Sequence, residues 1–240
     1  MTPPNKILIA LQFWDGDKVA AMKLARLMAD LEPQFCDKAD FLFSARYDCG
    51  HDQDTVAYTA KKFNTYTYVN SHRRASGWPH GCNELWFGTM GHVFWSTEAN
   101  RMPEYKAILT CESDCIPMHP GWIEALINSW DRAKVSVLGS MLSQPGVHIN
   151  GNAMFSGSPR FLKWLTHEVV GCRPNGGWDI LLAPAFQKWG WLDCRAMRSW
   201  WRCPTMPVET YEQLLSEKVS FFHGCKDDSG LLRVRERFLR

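Results

Sequence analysis

Glu112 and Asp114, two carboxylates separated only by Ser113, close the segment Tyr105-Lys-Ala-Ile-Leu-Thr-Cys-Glu-Ser-Asp-Cys-Ile-Pro117. Its apolar run, Ala107 to Leu109, has the character of a fully buried strand. Pro117 suits a turn and cannot continue a central strand. Charges at the end of a buried strand are costly unless something compensates them. Hard oxygen ligands suit Mg²⁺ or Mn²⁺, and a cation held there could also carry a diphosphate. A solvated acidic turn is the competing reading. Three other groups bear chemistry. The loop His72-Arg-Arg-Ala-Ser-Gly-Trp-Pro-His-Gly-Cys-Asn83 is basic and leads into a helix N-terminus, an arrangement that suits an anion, or else is a solvated loop. Asn150 and Asn152 flank Gly151, as ligands for sugar hydroxyls or as partners of a bulged strand. Arg195, Arg198 and Arg202 interleave with Trp200 and Trp201 ahead of a basic tail from Leu231 to Arg240. Such a mixture suits nucleic-acid phosphates and bases, or is a packed Trp pair with solvated Arg stems.

These groups need a scaffold, and the order of apolar runs supplies one. Lys6 to Phe13 reads as a first buried strand, followed by the turn Asp15-Gly-Asp17 with either acid as N-cap. Val19 to Leu31 has helical spacing and stops at Glu32-Pro33. Ala39 to Ala45 and Thr65 to Val69 read as strands around a polar helix from His51 to Phe63, and a helix runs from about Asn83 to Trp95. The alternation predicts an α/β fold with a mostly parallel sheet and helices on both faces. Ligands then bind beyond the carboxyl ends of the strands, where 11–15, 46–48 and 112–114 would lie. Further on, the pattern predicts a helix at 122–130, a strand at 135–141, a strand-like segment at 148–155 and a helix opened by Ser158-Pro159. A single helix from Ile180 to Trp189 ended by Gly190, and a short strand at 191–194, complete it. One domain is expected, a nucleotide-binding half at about 1–117 and an acceptor-side half at about 118–240.

Composition narrows the class. The chain has 240 residues, 45% hydrophobic and 22% charged, the balance of an ordinary globular protein. No run approaches a membrane span, and the short apolar stretch at 7–11 lacks the pattern of a secretory signal, so a cytoplasmic location without membrane attachment is expected. A net charge of +2 does not by itself mark a nucleic-acid binder. Nine cysteines, an odd number without scaffold spacing, are expected to be buried thiols, with zinc at Cys111 and Cys115 as the alternative. Twelve tryptophans exceed ordinary usage and supply faces for stacking as well as packing.

Taken together, the motifs resemble a glycosyltransferase of the GT-A fold, from Ile7 to Lys226. Glu112-Ser113-Asp114 stands where that family has its Asp-x-Asp metal motif, with Glu for the first Asp. Trp178-Asp179-Ile-Leu-Leu182 is similar to its Glu-Asp-x-x-Leu helix, with Trp for the Glu. Phe222-His223-Gly-Cys-Lys226 resembles its late His-x-x-Lys element, and Trp78-Pro-x-Gly81-x-Asn83 a loop of phage-type members. The resemblance implies a nucleotide-sugar donor, UDP-linked before others, and a divalent cation, Mn²⁺ or Mg²⁺, on Asp114 and His223 with Glu112. It implies donor contacts from Gln12, Arg46, Asp48, Asn83, Glu112, Ser113 and Lys226. Asp179 would be the base of an inverting transfer, or simply a helix N-cap; His223 has an ordinary structural reading too. Acceptor contacts would come from Asn152, Trp178, Arg198 and Trp200. The acceptor is a glycan, a protein or, as in bacteriophage DNA modification, a flipped 5-hydroxymethylpyrimidine of double-stranded DNA. A nucleotidyltransferase, or a binding module that has lost its chemistry, are the rival classes; oligomeric state is not assigned.

Overall fold

A computed structural model describes residues 4–71, 77–169 and 176–239, without the side chains at 168, 169, 201 and 202. The basic part of the first loop, 72–76, therefore lies outside the described residues, as do the Trp201 and Arg202 side chains.

The amino-terminal half alternates as its apolar runs require. β1 (Ile7–Phe13), α1 (Lys18–Asp30), β2 (Ala39–Arg46), α2 (Gln53–Thr59), β3 (Asn64–Asn70), α3 (His80–Glu98) and β4 (Ala107–Cys111) follow in order. The chain continues with β5 (Cys115–Pro117), α4 (Trp122–Ala133), β6 (Val137–Gly139), β7 (Met141–Leu142), β8 (His148–Ile149), β9 (Met154–Ser156) and α5 (Pro159–Trp164). Then come α6 (Trp178–Leu181), α7 (Ala183–Trp189), β10 (Trp191–Asp193), β11 (Met197–Cys203), α8 (Val208–Ser216), β12 (Phe221–Cys225) and α9 (Ser229–Phe238).

Seven strands form the main sheet in the order β10-β6-β9-β4-β1-β2-β3. β9 runs antiparallel to both its neighbours; every other pairing is parallel. β1 is buried at every position, because alternate residues serve two cores. Ile7, Ile9, Leu11 and Phe13 enter one, with α1 and α4; Leu8 and Ala10 enter the other, with α3 and the rings of Trp86, Phe155, Trp178 and Phe186. The register Leu11↔Cys111 and Phe13↔Ala45 ends β1, β2 and β4 at one edge, as expected.

A second sheet, β11-β12-β5, stands beside that edge. β12 pairs antiparallel with β5, so His223 lies opposite Cys115, next to the acidic turn. β11 covers the segment around Arg198 and Trp200, a strand because it pairs with β12. Three expectations change. The segment 148–155 is two short strands separated by a turn, and α2 spans only Gln53–Thr59. The helix expected at 180–189 is broken after α6, because Pro184 cannot donate to the preceding turn and instead opens α7. The eight described cysteines are free thiols, and among the described residues none belongs to a group of three or more ligands at metal-binding separation. Among the described residues, no helix is long and apolar enough to cross a membrane.

Candidate active site

A cleft of about 720 Å³ opens at the carboxyl edge of β1 and β4, a volume in the range of ligand sites. The acidic turn after β4 forms part of it, held from below by Asn152, which is 4% exposed. Its Oδ1 accepts from the Glu112 backbone N–H at 2.7 Å and from the Cys115 thiol at 3.1 Å. Its own N–H donates to Asn150 Oδ1 at 2.9 Å. Asn152 thus lines the cleft, but its amide is occupied in fixing the turn.

β12 completes the group. His223 Nε2 lies 3.3 Å from Asp114 Oδ1 and 3.5 Å from Glu112 Oε2. One donor atom from each of the three residues falls within 4.8 Å of the others. Burial alone would push the His223 imidazole down, but the carboxylates of Asp114 and Glu112 outweigh it and carry it up to about 9. Burial raises Asp114 in turn, yet His223 and Lys226 overcome this and hold it near 2. Lys226 Nζ donates to Asp114 Oδ2. Asp114 Oδ1 and both ring nitrogens of His223 are buried without a hydrogen-bond partner. Two carboxylates and an imidazole gathered within 4.8 Å, with Asp114 and His223 carrying unsatisfied atoms, suit a hard or borderline divalent cation, so these residues fit one.

Asp17, which the sequence suggested only as a cap, lines the same cleft. Its Oδ1 accepts from the Trp14 N–H at 2.8 Å, and its Oδ2 from Ser113 Oγ at 3.0 Å. Burial lifts it to about 6, against those hydrogen bonds and with some help from Glu112 and Asp114. Gln12 lines the cleft as well. Arg46 and Asp48 do not; they pair with each other, with Arg46 Nε 3.0 Å from Asp48 Oδ1, and the guanidinium lies 4.8 Å from the centre of the Trp14 ring. They back a cleft residue from behind.

α6 brings Asp179 to the cleft. The cap position of α6 belongs to Gly177, so Asp179 is one residue inside the first turn, its Oδ1 accepting from the Ile180 N–H at 3.0 Å. Burial raises its carboxyl above the ordinary range, and His148, 4.0 Å away, opposes this. Asn83 and Trp178 turn out to position this helix. Asn83 donates to the Gly176 carbonyl at 2.8 Å and accepts from the Trp178 N–H at 2.9 Å, while the Trp178 ring stacks 3.6 Å from Trp86 in the core. His148 and Trp78 also line the cleft; neither carried a role in the sequence reading, since nothing in a lone His or a loop Trp announces what it faces.

Of the expected acceptor residues, Trp200 lines the cleft, 40% exposed, against the edge of Phe222. Arg198 does not; its guanidinium donates to the carbonyls of Cys194 and Met197 at 3.2 and 3.1 Å and lies 3.8 Å from Asp193. The tail is the helix α9, and its arginines are paired: Arg235 with Asp30 at 2.9 Å, Arg237 with Glu212 at 2.9 Å and Arg233 with Glu236 at 3.2 Å.

No protein-family model and no curated protein sequence matches this chain. Solved structures are similar in fold. The bifunctional glycosyltransferase WbbM superposes with a TM-score of 0.50 at 12% identity, over 93% of this chain and 46% of its own. A fragment of TarS from S. aureus gives 0.51 at 11%, over 91% and 60%. The glycosyltransferase GlyE of Streptococcus pneumoniae TIGR4 gives 0.52 at 11%, over 94% and 56%. This chain therefore spans about half the length of those three. Mouse xyloside xylosyltransferase 1 gives 0.50 at 9%, over 91% of this chain and 97% of its own. The fold of this chain is that of the GT-A glycosyltransferases.

Proposed function

We propose that this chain is a single-domain, inverting glycosyltransferase that moves a sugar from a nucleotide sugar to an acceptor hydroxyl. One observation carries the reading: Glu112, Asp114, His223 and Lys226 converge with Asp179 in one cleft at the carboxyl edge of the sheet. Glu112, Asp114 and His223 would hold a divalent cation, Mn²⁺ or Mg²⁺, which neutralises charge on a diphosphate when bound. Lys226 offers the leaving diphosphate a second positive charge. Asp179 accepts the proton of the acceptor hydroxyl as its oxygen bonds the anomeric carbon. The bond from that carbon to the diphosphate breaks, and its electron pair leaves with the phosphate. Attack from the face away from the leaving group inverts the anomeric configuration.

For the acceptor, the described charges favour a neutral glycan over DNA. Arg198 and the arginines of α9 are already paired within the protein, and phosphate contacts would have to displace those partners. The test is incubation with a panel of nucleotide sugars and Mn²⁺. Release of one nucleoside diphosphate, with or without acceptor, supports the reading and names the donor. Pyrophosphate release would identify a nucleotidyltransferase instead, and sugar binding without turnover a module that has lost its chemistry.

A further inference from the structure

We propose that His148 is a positioning residue for Asp179, holding its carboxylate ionised and turned into the cleft; this rests on Asp179 being the base. His148 lies on β8 and is 3% exposed. Its Nδ1 is 2.7 Å from the Gly146 carbonyl, which can only accept, so Nδ1 carries the hydrogen. That bond fixes the ring and leaves Nε2 directed at Asp179 Oδ2, 4.0 Å away. At that separation the contact is electrostatic and not a hydrogen bond.

The backbones that set this distance are fixed. β8 pairs with β7 in the register Leu142↔His148, and the Asn150 N–H donates to the Ser140 carbonyl at 2.9 Å. A Cβ on Gly151 would stand 2.7 Å from the Trp178 ring, so glycine there lets the turn after β8 lie directly against α6. α6 is pinned from its other side by Asn83.

The surroundings leave this pairing little competition. β6 and β7, which pack against β8, carry no titratable side chain, and α6 contributes Asp179. Glu112 and the Cys82 thiol, the latter pushed up to about 11 by burial, are the other titratable groups felt at this end. A buried carboxylate resists ionisation, and a base must be ionised to accept a proton. His148, facing Asp179, opposes that resistance. It takes no part in bonding to donor or acceptor.

The experiment is the pH profile of donor hydrolysis, water replacing the acceptor, for wild type, Asp179→Asn, His148→Gln and His148→Asn. Asparagine places its amide near Nδ1 and keeps the Gly146 bond but loses the reach to Asp179. Glutamine reaches toward Nε2 but carries no charge. Both are expected to shift the acidic limb of kcat upward by about one pH unit, a loss of about tenfold below the limb. The donor KM stays unchanged, and the rate recovers at high pH. In His148→Asn, kcat stays below the His148→Gln value even there. A limb that stays in place in both variants, while Asp179→Asn is inert, overturns the inference alone. Wild-type turnover by Asp179→Asn removes the base and the inference with it.

Discussion

At the scale of single residues, the candidate metal group is defined by a conflict over a proton. His223 is held protonated up to about pH 9 by two carboxylates, yet an imidazole can ligate a cation only through a free nitrogen. Cation binding at pH 7–8 must therefore expel a proton, while Asp114, held near 2, has none to give. Titration calorimetry of Mn²⁺ in buffers of different ionisation enthalpy should return close to one proton released per cation. Affinity should climb with pH until about 9. In His223→Gln the proton release should vanish. Without cation the same group also links stability to pH. Its folded pKa lies above the ordinary value, so its stabilisation is complete below about 6.5 and is lost as pH rises toward 9. Thermal melts in EDTA should show that decline in wild type and a flatter curve in His223→Gln. Asp17 moves stability in the same direction over a lower pH range. An acid lifted to about 6 destabilises the fold as pH rises from about 4 to 6, so in EDTA Asp17→Asn should gain melting temperature relative to wild type at pH 7 and not at pH 4.

At the scale of elements, the site depends on two connections that only close packing explains. β12 delivers His223 and Lys226 because Gly224 takes φ +118°, and a Cβ there would stand 1.9 Å from the Trp200 carbonyl oxygen. Gly224→Ala should therefore cost on the order of 2 kcal/mol or more and weaken Mn²⁺ binding, because relief of the clash moves His223. Gly50→Ala, with nothing within 4 Å, is the control and should leave both unchanged. Asn152 is the second connection. Asn152→Ala strips a partner from the Glu112 N–H, a loss of about 1–3 kcal/mol. In a chain of this size that is roughly 2–4 °C of melting temperature per kcal/mol. These connections also mark what the sequence could tell. The strands β1, β2 and β4 are legible because buried runs of β-branched and aromatic residues have few other fates, and their shared edge follows from parallel order. Glu112 and Asp114 are legible because charges interrupt such a run. The roles of Asn83, Asn152 and Trp178 are not. Each matches a site residue in type, and what it holds is set by a partner 40 to 95 positions away. His148 is illegible for the same reason: its partner Asp179 arrives from another element.

At the scale of the whole molecule, the question is what the cleft admits. Asp17, Glu112, Asp114, Asp179, Asp227 and Asp228 line it, against Lys23 and Lys226, with the imidazoles of His148 and His223. A cation and a diphosphate together suit such a lining at the donor end, since the cation offsets both. A polyanion as acceptor would meet the carboxylates directly. The exposed faces of Trp78 and Trp200, 70% and 40% accessible, offer flat apolar platforms that a sugar ring or a base can use. Salt separates these cases, because each phosphate contact releases counterions and a neutral sugar releases none. Fluorescence titrations at 50 and 200 mM salt should find that a neutral oligosaccharide binds with no dependence on salt. Trp200→Ala should weaken it if that ring is a platform, with the slope still flat. Duplex DNA carrying hydroxymethylated pyrimidines should bind weakly at both concentrations. Tight DNA binding with a slope of several units, flattened by Arg235→Ala and Arg237→Ala, would show that the ion pairs of α9 open to phosphate, and would return DNA as the acceptor while leaving the donor site as described.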